Sequence, residues 1–489
     1  MRLRELLKNI LIVDTQGNLE IDVKHITAHS KQVSPGSLFI ALKGLHNNGQ
    51  AYIGEAIIKG AAAILTEEIP LDSKNGVTYI KVGNAREAAA KVAAAFYQHP
   101  AEKLTLIGIT GTNGKTTTSF LIASILEQAQ RRPGIIGTIK YQYAGKTIPA
   151  SLTTPDSLEL QKLFHEMLTN DITDVVMEVS SHSLFYKRVE GCKFKLAIFT
   201  NLSRDHLDFH ENMEAYFNCK KELFTYYLAP EGVAVINADD TWGQRLLKAV
   251  AHHSPYITYG LSTQTQVRAQ EVNFSLDGTK AIIQTPEGNF SLVSSLIGQP
   301  NLYNLLAATA AAIALGIPLS VIKSGLEKIG RVKGRMERFS GKGIEVIIDY
   351  AHTPDALKQA LTTLRPFCQG KLITVFGCGG NRDRGKRPIM GEIASELADM
   401  IIITNDNPRN ESSRQIIQDI EMGIKKEIPY CIIPDRQQAI AWAIKYAKKG
   451  DVVLIAGKGH ENYQIVGDKK YHLDDREEVI KNLVMDNEE

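Results

Sequence analysis

The run Gly108-Ile109-Thr110-Gly111-Thr112-Asn113-Gly114-Lys115-Thr116-Thr117 carries the residue types that phosphate chemistry needs, in a workable order. Gly111, Thr112, Asn113 and Gly114 make a short turn whose backbone N–H groups can face phosphate oxygens, and a helix starting just after it adds positive potential. Lys115 is placed to reach β- and γ-phosphates and Thr116 to ligate magnesium, with Thr117 completing the nucleotide-binding run. The spacing departs from G-x-x-x-x-G-K-[ST], whose first glycine would fall on Ile109. Two further side chains suit a metal beside such phosphates, since Glu178 ends one β-like run and His206 follows another. Alone, Glu178 reads as a surface carboxylate and His206 as a capping or hydrogen-bonded histidine; a phosphate loop in the same chain tips both toward ligands.

These residues need a scaffold, and the length of 489 residues suggests one of about three domains. With 44% hydrophobic and 22% charged residues the chain reads as a water-soluble globular protein, which excludes disordered, collagen-like and fibrous classes. Lys plus Arg number 56 against 54 Asp plus Glu, so there is no general electrostatic reason to bind nucleic acid or a membrane, and anion recognition must be local. Five cysteines without a C-x-x-C pair point away from a disulfide framework or zinc site and toward a reduced, cytoplasmic setting. The apolar residues 10–13 are too short for a signal-peptide core, and the stretch 305–319 is broken by Thr309, Gly316 and Pro318, so no membrane span is expected.

The hydrophobic periodicity predicts an α/β protein of three domains. Residues 1–100 read as a small α/β domain closed by a helix over 84–98, with a break at His99-Pro100. Residues 101–335 read as a P-loop ATPase-type domain: β-like runs at 174–179, 196–200 and 232–237 alternate with helices, implying a mostly parallel sheet. Short strands over 256–295, with turns at Asp277-Gly278 and Glu287-Gly288, read as a β-meander insertion. Residues 336–489 predict a doubly wound, Rossmann-like domain, with runs at 345–349, 372–376, 400–404, 430–433 and 452–455 and helices beginning near Asp355, Pro388, Ser412 and Arg436. Four of those strands run into polar loops at 350–354, 377–388, 405–411 and 457–461, and ligands in such folds bind at the carboxyl ends of strands.

Later motifs follow in a recognisable order: Glu178-Val179-Ser180-Ser181-His182, Asn201-Leu202-Ser203-Arg204-Asp205-His206-Leu207-Asp208, Asn301-Leu302-Tyr303-Asn304, Gly334-Arg335-Met336-Glu337 and Asp349-Tyr350-Ala351-His352-Thr353-Pro354. With the phosphate loop they resemble the Mur ligase family, which closes amide bonds at the expense of ATP while building peptidoglycan precursors. The resemblance covers nearly the whole chain. It implies ATP and Mg2+ as cofactors, with Asn301 and Arg335 joining the loop at the nucleotide. It also implies Lys115, Lys220, Glu178 and His206 as catalytic residues, the last three ligating magnesium with Thr116. Lys220 falls where the family carries a carbamylated lysine, a change that turns an ammonium into an anionic oxygen ligand; read alone, Lys220-Lys221 is a solvated helix face.

The substrates implied are UDP-N-acetylmuramoyl-L-alanyl-D-glutamate and, from Asp406-Asn407-Pro408-Arg409, meso-diaminopimelate, handled by a monomer. Ser30, residues 43–46, Thr153, Thr154, Ser180 and Arg188 are implied for the sugar nucleotide, although His29, Lys31 and Leu152 depart from the family pattern. Arg382, Asp406, Asn407, Pro408, Arg409, Gly457 and Glu461 are implied for the amino acid, whose ammonium needs a carboxylate and whose carboxylate needs a cation. The chemistry is coherent, because a carboxylate must be activated before an amine can attack it and phosphoryl transfer supplies the leaving group. Rival readings are the L-lysine-adding ligase, a folylpolyglutamate synthase and, from another class, a nucleotide-dependent switch.

Overall fold

The computed structural model describes residues 1–44, 48–425 and 427–484. By packing, the chain groups into two units: residues 1–110, 131–197 and 219–233 in the first, and 111–130, 198–218 and 234–489 in the second.

In the first unit, five strands lie in the order Ile12–Gln16, Thr78–Val82, Ala61–Thr66, Ser37–Ile40, His25–Thr27. All but the Ile12–Gln16 edge pair in parallel, and Ser37–Ile40 is buried at every position, as a parallel strand covered on both faces must be. The helix Ala85–Phe96 starts on Asn84, whose Oδ1 accepts from the N–H groups of Arg86 and Glu87 at 3.0 and 3.1 Å. It ends two residues before the expected limit, because Gln98 and His99 take positive φ of 62° and 53° ahead of Pro100. A further sheet places Thr105–Thr110, Asp174–Glu178 and Pro133–Ile136 in parallel, followed by the antiparallel Lys140–Tyr143 and Lys146–Pro149.

Strands Phe194–Phe199 and Leu228–Asn237 have residues in both units. In the second unit, the end of Leu228–Asn237 pairs in parallel with Tyr256–Gly260, because the helix Thr241–Val250 between them makes a crossover. The expected meander over 256–295 therefore shrinks to Val267–Ser275, Gly278–Thr285 and Gly288–Ser294, which do pair antiparallel. The helix Lys115–Gln128 packs on helices Gln299–Ala314 and Leu319–Lys328, which bury its apolar stripe of Leu121, Ile122, Ile125 and Leu126.

The last sheet has the order Glu337–Gly341, Ile344–Asp349, Val452–Ala456, Leu372–Phe376, Met400–Ile403, Tyr430–Ile432, parallel except for its first hairpin. Successive residues face opposite layers: Ile347 and Leu454 pack into one core, while Val346, Ile348, Val453 and Ile455 pack into the other. This is the doubly wound arrangement, and it delivers the strand-end loops to one edge. The helix expected near Pro388 begins earlier, as Lys386–Leu397, which leaves the proline in a first turn where no N–H is required.

Behind that edge, Arg436 donates through Nε and Nη2 to both oxygens of Asp475, each at 2.7 Å, and neither side chain is exposed to solvent. Breaking a buried pair from one side leaves an uncompensated charge, so Asp475→Ala should lower unfolding free energy by about 3–5 kcal/mol. Denaturant unfolding checks this, and a loss below about 1 kcal/mol would mean that water reaches Arg436.

Candidate active site

The turn after strand Thr105–Thr110 is held in shape before any ligand arrives. Thr112 N–H donates to Asn201 O at 2.9 Å, Asn113 N–H donates to Asn201 Oδ1 at 2.9 Å, and Thr200 Oγ1 donates to Asn113 O at 2.6 Å. Gly114, the N-cap of helix Lys115–Gln128, has φ 89°, and a Cβ there would lie 2.4 Å from Asn304 Oδ1, so only glycine fits. Lys115 Nζ donates to Gly111 O and Thr112 O, both at 2.9 Å, which anchors its charge over the loop. Arg335 Nη2 donates to Thr116 Oγ1 at 3.1 Å, its guanidinium lies 4.5 Å from the Tyr350 ring centroid, and its buried Nε has no hydrogen-bond partner among the described residues. A preformed glycine turn, an anchored lysine and a half-buried arginine with an unused donor together fit a polyphosphate. Asn301 reaches this loop only indirectly: its Oδ1 accepts from Asn304 Nδ2 at 3.1 Å, and Asn304 Oδ1 accepts from Thr118 Oγ1 at 3.3 Å.

The residues named for a metal sit in two places. In the first unit Glu178 is buried, and its two oxygens take neutral donors from Thr138, N–H at 3.0 Å and Oγ1 at 2.8 Å. Carboxylate oxygens are the ligand type that a hard cation prefers. Lys220 is also buried, at 2% exposure, with Nζ 3.5 Å from Thr110 Oγ1, so the solvated-face reading does not hold for it; Lys221 is half-buried. In the second unit His206 has φ 54° and lies beside Asp205, Nε2 to Oδ2 3.4 Å, with His352 Nε2 at 3.8 Å from the same oxygen. Burial opposes ionisation of Asp205, but His206, Lys386 and His352 outweigh it and hold that carboxyl well below the usual range. Taken unit by unit, Glu178 offers carboxylate oxygens and His206 an imidazole beside a carboxylate, donor types that suit a hard cation.

Thr153, Thr154, Ser180 and Arg188 do come together. Thr154 Oγ1 donates to Glu178 O at 2.8 Å and accepts from Ser180 N–H at 3.1 Å, Arg188 Nη1 donates to Thr154 O at 3.0 Å, and Thr153 Oγ1 lies 3.1 Å from Thr138 Oγ1. Ser30 instead donates to Glu55 Oε2 at 2.7 Å, within the N-terminal sheet region. Of residues 43–46, positions 45 and 46 lie outside the described residues.

The residues expected to meet the amino acid assemble on the strand-end edge of the last sheet. Arg409 is in the left-handed region, φ 52°, and its Nη1 donates to Gly380 O at 2.9 Å. Among the described residues no carboxylate pairs with it, and it does not cap the helix Ser413–Glu421. Burial and the neighbouring Arg382 lower its proton affinity, against the opposing influence of Asp406 and Glu461. Arg382 is anchored locally, Nη1 to Asn381 O at 2.9 Å. Asn407 Nδ2 donates to Glu461 Oε2 at 2.9 Å, and Pro408 O accepts from Glu411 N–H at 3.1 Å. Gly457 has φ 116°, and a Cβ there would fall 2.7 Å from Asp406 Oδ2. Burial of Asp406 is outweighed by Lys458 and Arg436, which lower its proton affinity.

Four contributors escaped the reading of the chain. Asp355 Oδ2 accepts from Asn113 Nδ2 at 3.1 Å, Arg86 lies 4.3 Å over the Tyr186 ring with Arg188 at 5.7 Å, and Lys458 and Arg436 lie behind the amino-acid set. A lysine between two glycines after an apolar strand was an available signal for Lys458. Asp355, Arg86 and Arg436 offered none, since their neighbours are remote in the chain.

Comparison with known proteins finds relatives along nearly the whole length. Residues 22–97 match the model of the Mur ligase family catalytic domain, 109–312 the Mur ligase middle domain and 334–459 the Mur ligase glutamate ligase domain. A protein of Geobacter metallireducens named UDP-N-acetylmuramoyl-L-alanyl-D-glutamate--2,6-diaminopimelate ligase is 45% identical over 98% of both chains. One of the same name from Gloeobacter violaceus is 47% identical over 99% of this chain and 98% of its own. A solved structure of a ligase with that name superposes with a TM-score of 0.70 at 33% identity, covering 99% of this chain and 98% of the other.

Proposed function

The chain belongs to the Mur ligase family, and from that premise we propose that it is an ATP-dependent amide-forming ligase. Its substrates are UDP-N-acetylmuramoyl-L-alanyl-D-glutamate and meso-diaminopimelate, and its setting is peptidoglycan precursor synthesis in the cytoplasm. No helix among the described residues is long and apolar enough to cross a membrane. We assign residues 1–100 and the Thr153, Thr154, Ser180 and Arg188 cluster to the sugar nucleotide, 101–335 to ATP and 336–489 to the amino acid, in a chain acting as a monomer.

In the proposed reaction a carboxylate oxygen of the D-glutamate attacks the γ-phosphorus of ATP, ADP leaves, and an acyl phosphate forms. The amine of diaminopimelate then attacks the acyl carbon, loses a proton, and expels phosphate. The loop N–H groups, Lys115 and Arg335 hold the phosphates where negative charge is redistributed. Magnesium, when bound, supplies charge neutralisation at the phosphate oxygens, and Thr116, Glu178, His206 and a carbamylated Lys220 are the residues that would hold it. Glu461 takes the amino acid's ammonium and Arg409 its distal carboxylate.

The observation that carries this assignment is the half-buried Arg409 guanidinium, which no carboxylate of the described residues pairs with. Lysine and diaminopimelate differ by one distal carboxylate, and a charge-assisted fork to it in a water-poor cleft is worth about 1.5–3 kcal/mol, or roughly ten- to a hundredfold in discrimination. Phosphate release is therefore measured with ATP, magnesium and the UDP-linked dipeptide, adding meso-diaminopimelate, L-lysine or no amine. Release stimulated by diaminopimelate alone supports the assignment, equal use of L-lysine would falsify it, and release indifferent to any amine would favour the switch reading. Arg409→Ala should raise KM for diaminopimelate about ten- to a hundredfold with KM for ATP almost unchanged, and Arg409→Lys should restore only part, because the bidentate geometry is lost.

A further inference from the structure

Lys458 is a charged side chain with no exposure, placed in the loop between Gly457 and Glu461. Its Nζ donates to Glu461 Oε2 at 3.0 Å and to Asn407 Oδ1 at 3.2 Å, and lies 5.4 Å from the Tyr463 ring centroid. Asn407 closes the triangle, with its Nδ2 on the same Glu461 Oε2 at 2.9 Å and its Oδ1 also accepting from Ile465 N–H at 2.9 Å. Two donors therefore converge on one oxygen of Glu461, while Oε1 takes no hydrogen bond from the described residues. The charges behind this triangle alternate in sign: Asp475 pairs with Arg436, Arg436 and Lys458 both act on Asp406, and Lys458 pairs with Glu461.

A buried ion pair between residues three apart on one loop is poor evidence of a stabilising role, since desolvation offsets most of the attraction. What Lys458 does accomplish is orientation. It ties the loop after Val452–Ala456 to the loop after Met400–Ile403 through Asn407, and it spends one carboxylate oxygen of Glu461 while leaving the other available. We propose that Lys458 is a positioning residue for the amine substrate, fixing Glu461 Oε2 and Asn407 so that Glu461 Oε1 is presented to the ammonium of the incoming amino acid. This rests on the assignment of Glu461 to that ammonium made above. Without the lysine the carboxylate rotates, and the site meets the ammonium with an oxygen that is not held in place.

The test compares Lys458→Met, Lys458→Arg, Glu461→Gln and the Lys458→Met/Glu461→Gln double variant by steady-state phosphate release, beside thermal melting of each. Lys458→Met should raise KM for meso-diaminopimelate about ten- to a hundredfold while kcat falls no more than about threefold and KM for ATP stays within about twofold. Lys458→Arg should recover part of the loss. In the Glu461→Gln background, Lys458→Met should add no more than about a twofold change, because a residue acting through Glu461 has nothing left to position. Multiplicative losses in the double variant, or an unchanged KM in Lys458→Met, overturn the proposal. So does failure of both Lys458 variants to fold, which makes the lysine a structural ion-pair member. Absence of diaminopimelate-stimulated release in the unmutated enzyme is a separate outcome that removes the reading of the reaction itself.

Discussion

Lys115→Ala should abolish most turnover, by about a hundred- to a thousandfold, with the fold left intact. The lysine is held by Gly111 O and Thr112 O at 2.9 Å, at the N-terminal end of helix Lys115–Gln128, so its charge is already in place when phosphates arrive. Such a preorganised cation costs no rearrangement as charge shifts from the γ-phosphoryl group toward the leaving ADP. Both hydrogen bonds are local to the loop, and losing them should shift the thermal midpoint by no more than about 3 °C. Turnover and melting measured on the same preparation check both halves, and a variant with near-normal turnover would end the phosphate-loop assignment.

Lys220→Ala should be nearly inactive, down about a thousandfold, if its amine is carbamylated and serves magnesium as an anionic oxygen ligand. The side chain is buried at 2% exposure in helix Met213–Thr225, beside Thr110 at the end of the strand that leads into the phosphate loop. Short carboxylic acids such as formate or acetate should recover part of the activity by supplying the missing anion in the vacated space. Lys221→Ala should be mild, because Lys221 is only half-buried. Intact-protein mass under bicarbonate reads the modification directly. An unmodified amine together with an active Lys220→Ala variant would end the carbamate assignment.

The parts legible along the chain are those whose cause is local. The phosphate turn shows in its glycines and Gly-Lys-Thr ending because strand, turn and helix N-terminus are consecutive, and Gly114 with φ 89° obeys the same short-range sterics in any fold. The doubly wound sheet shows in the alternation of apolar runs with helices, since burial on both faces requires strands such as Leu372–Phe376 to be apolar throughout. Its strand-end loops were legible as the candidate site because strands alternating with helices deliver their carboxyl ends to one edge. Exact ends were less so, because the Lys386–Leu397 helix begins where Arg387 is buried against Asp419 and Glu411, 2.8 and 3.0 Å away, partners supplied by a neighbouring helix and loop.

What only tertiary structure decided is which charges are buried and which side chains meet. Lys220-Lys221 has the pattern of a solvated face, yet Lys220 is enclosed. Asn113 and Asp355 hydrogen-bond across 242 positions, and Lys458 and Asn407 across 51. Tyr256–Gly260 looks like part of a hairpin series until the crossover helix before it sets its direction parallel. A side chain's charge is readable from its identity, but its energy depends on solvent access and on neighbours brought in by strand order, and hydrophobic periodicity carries no record of either.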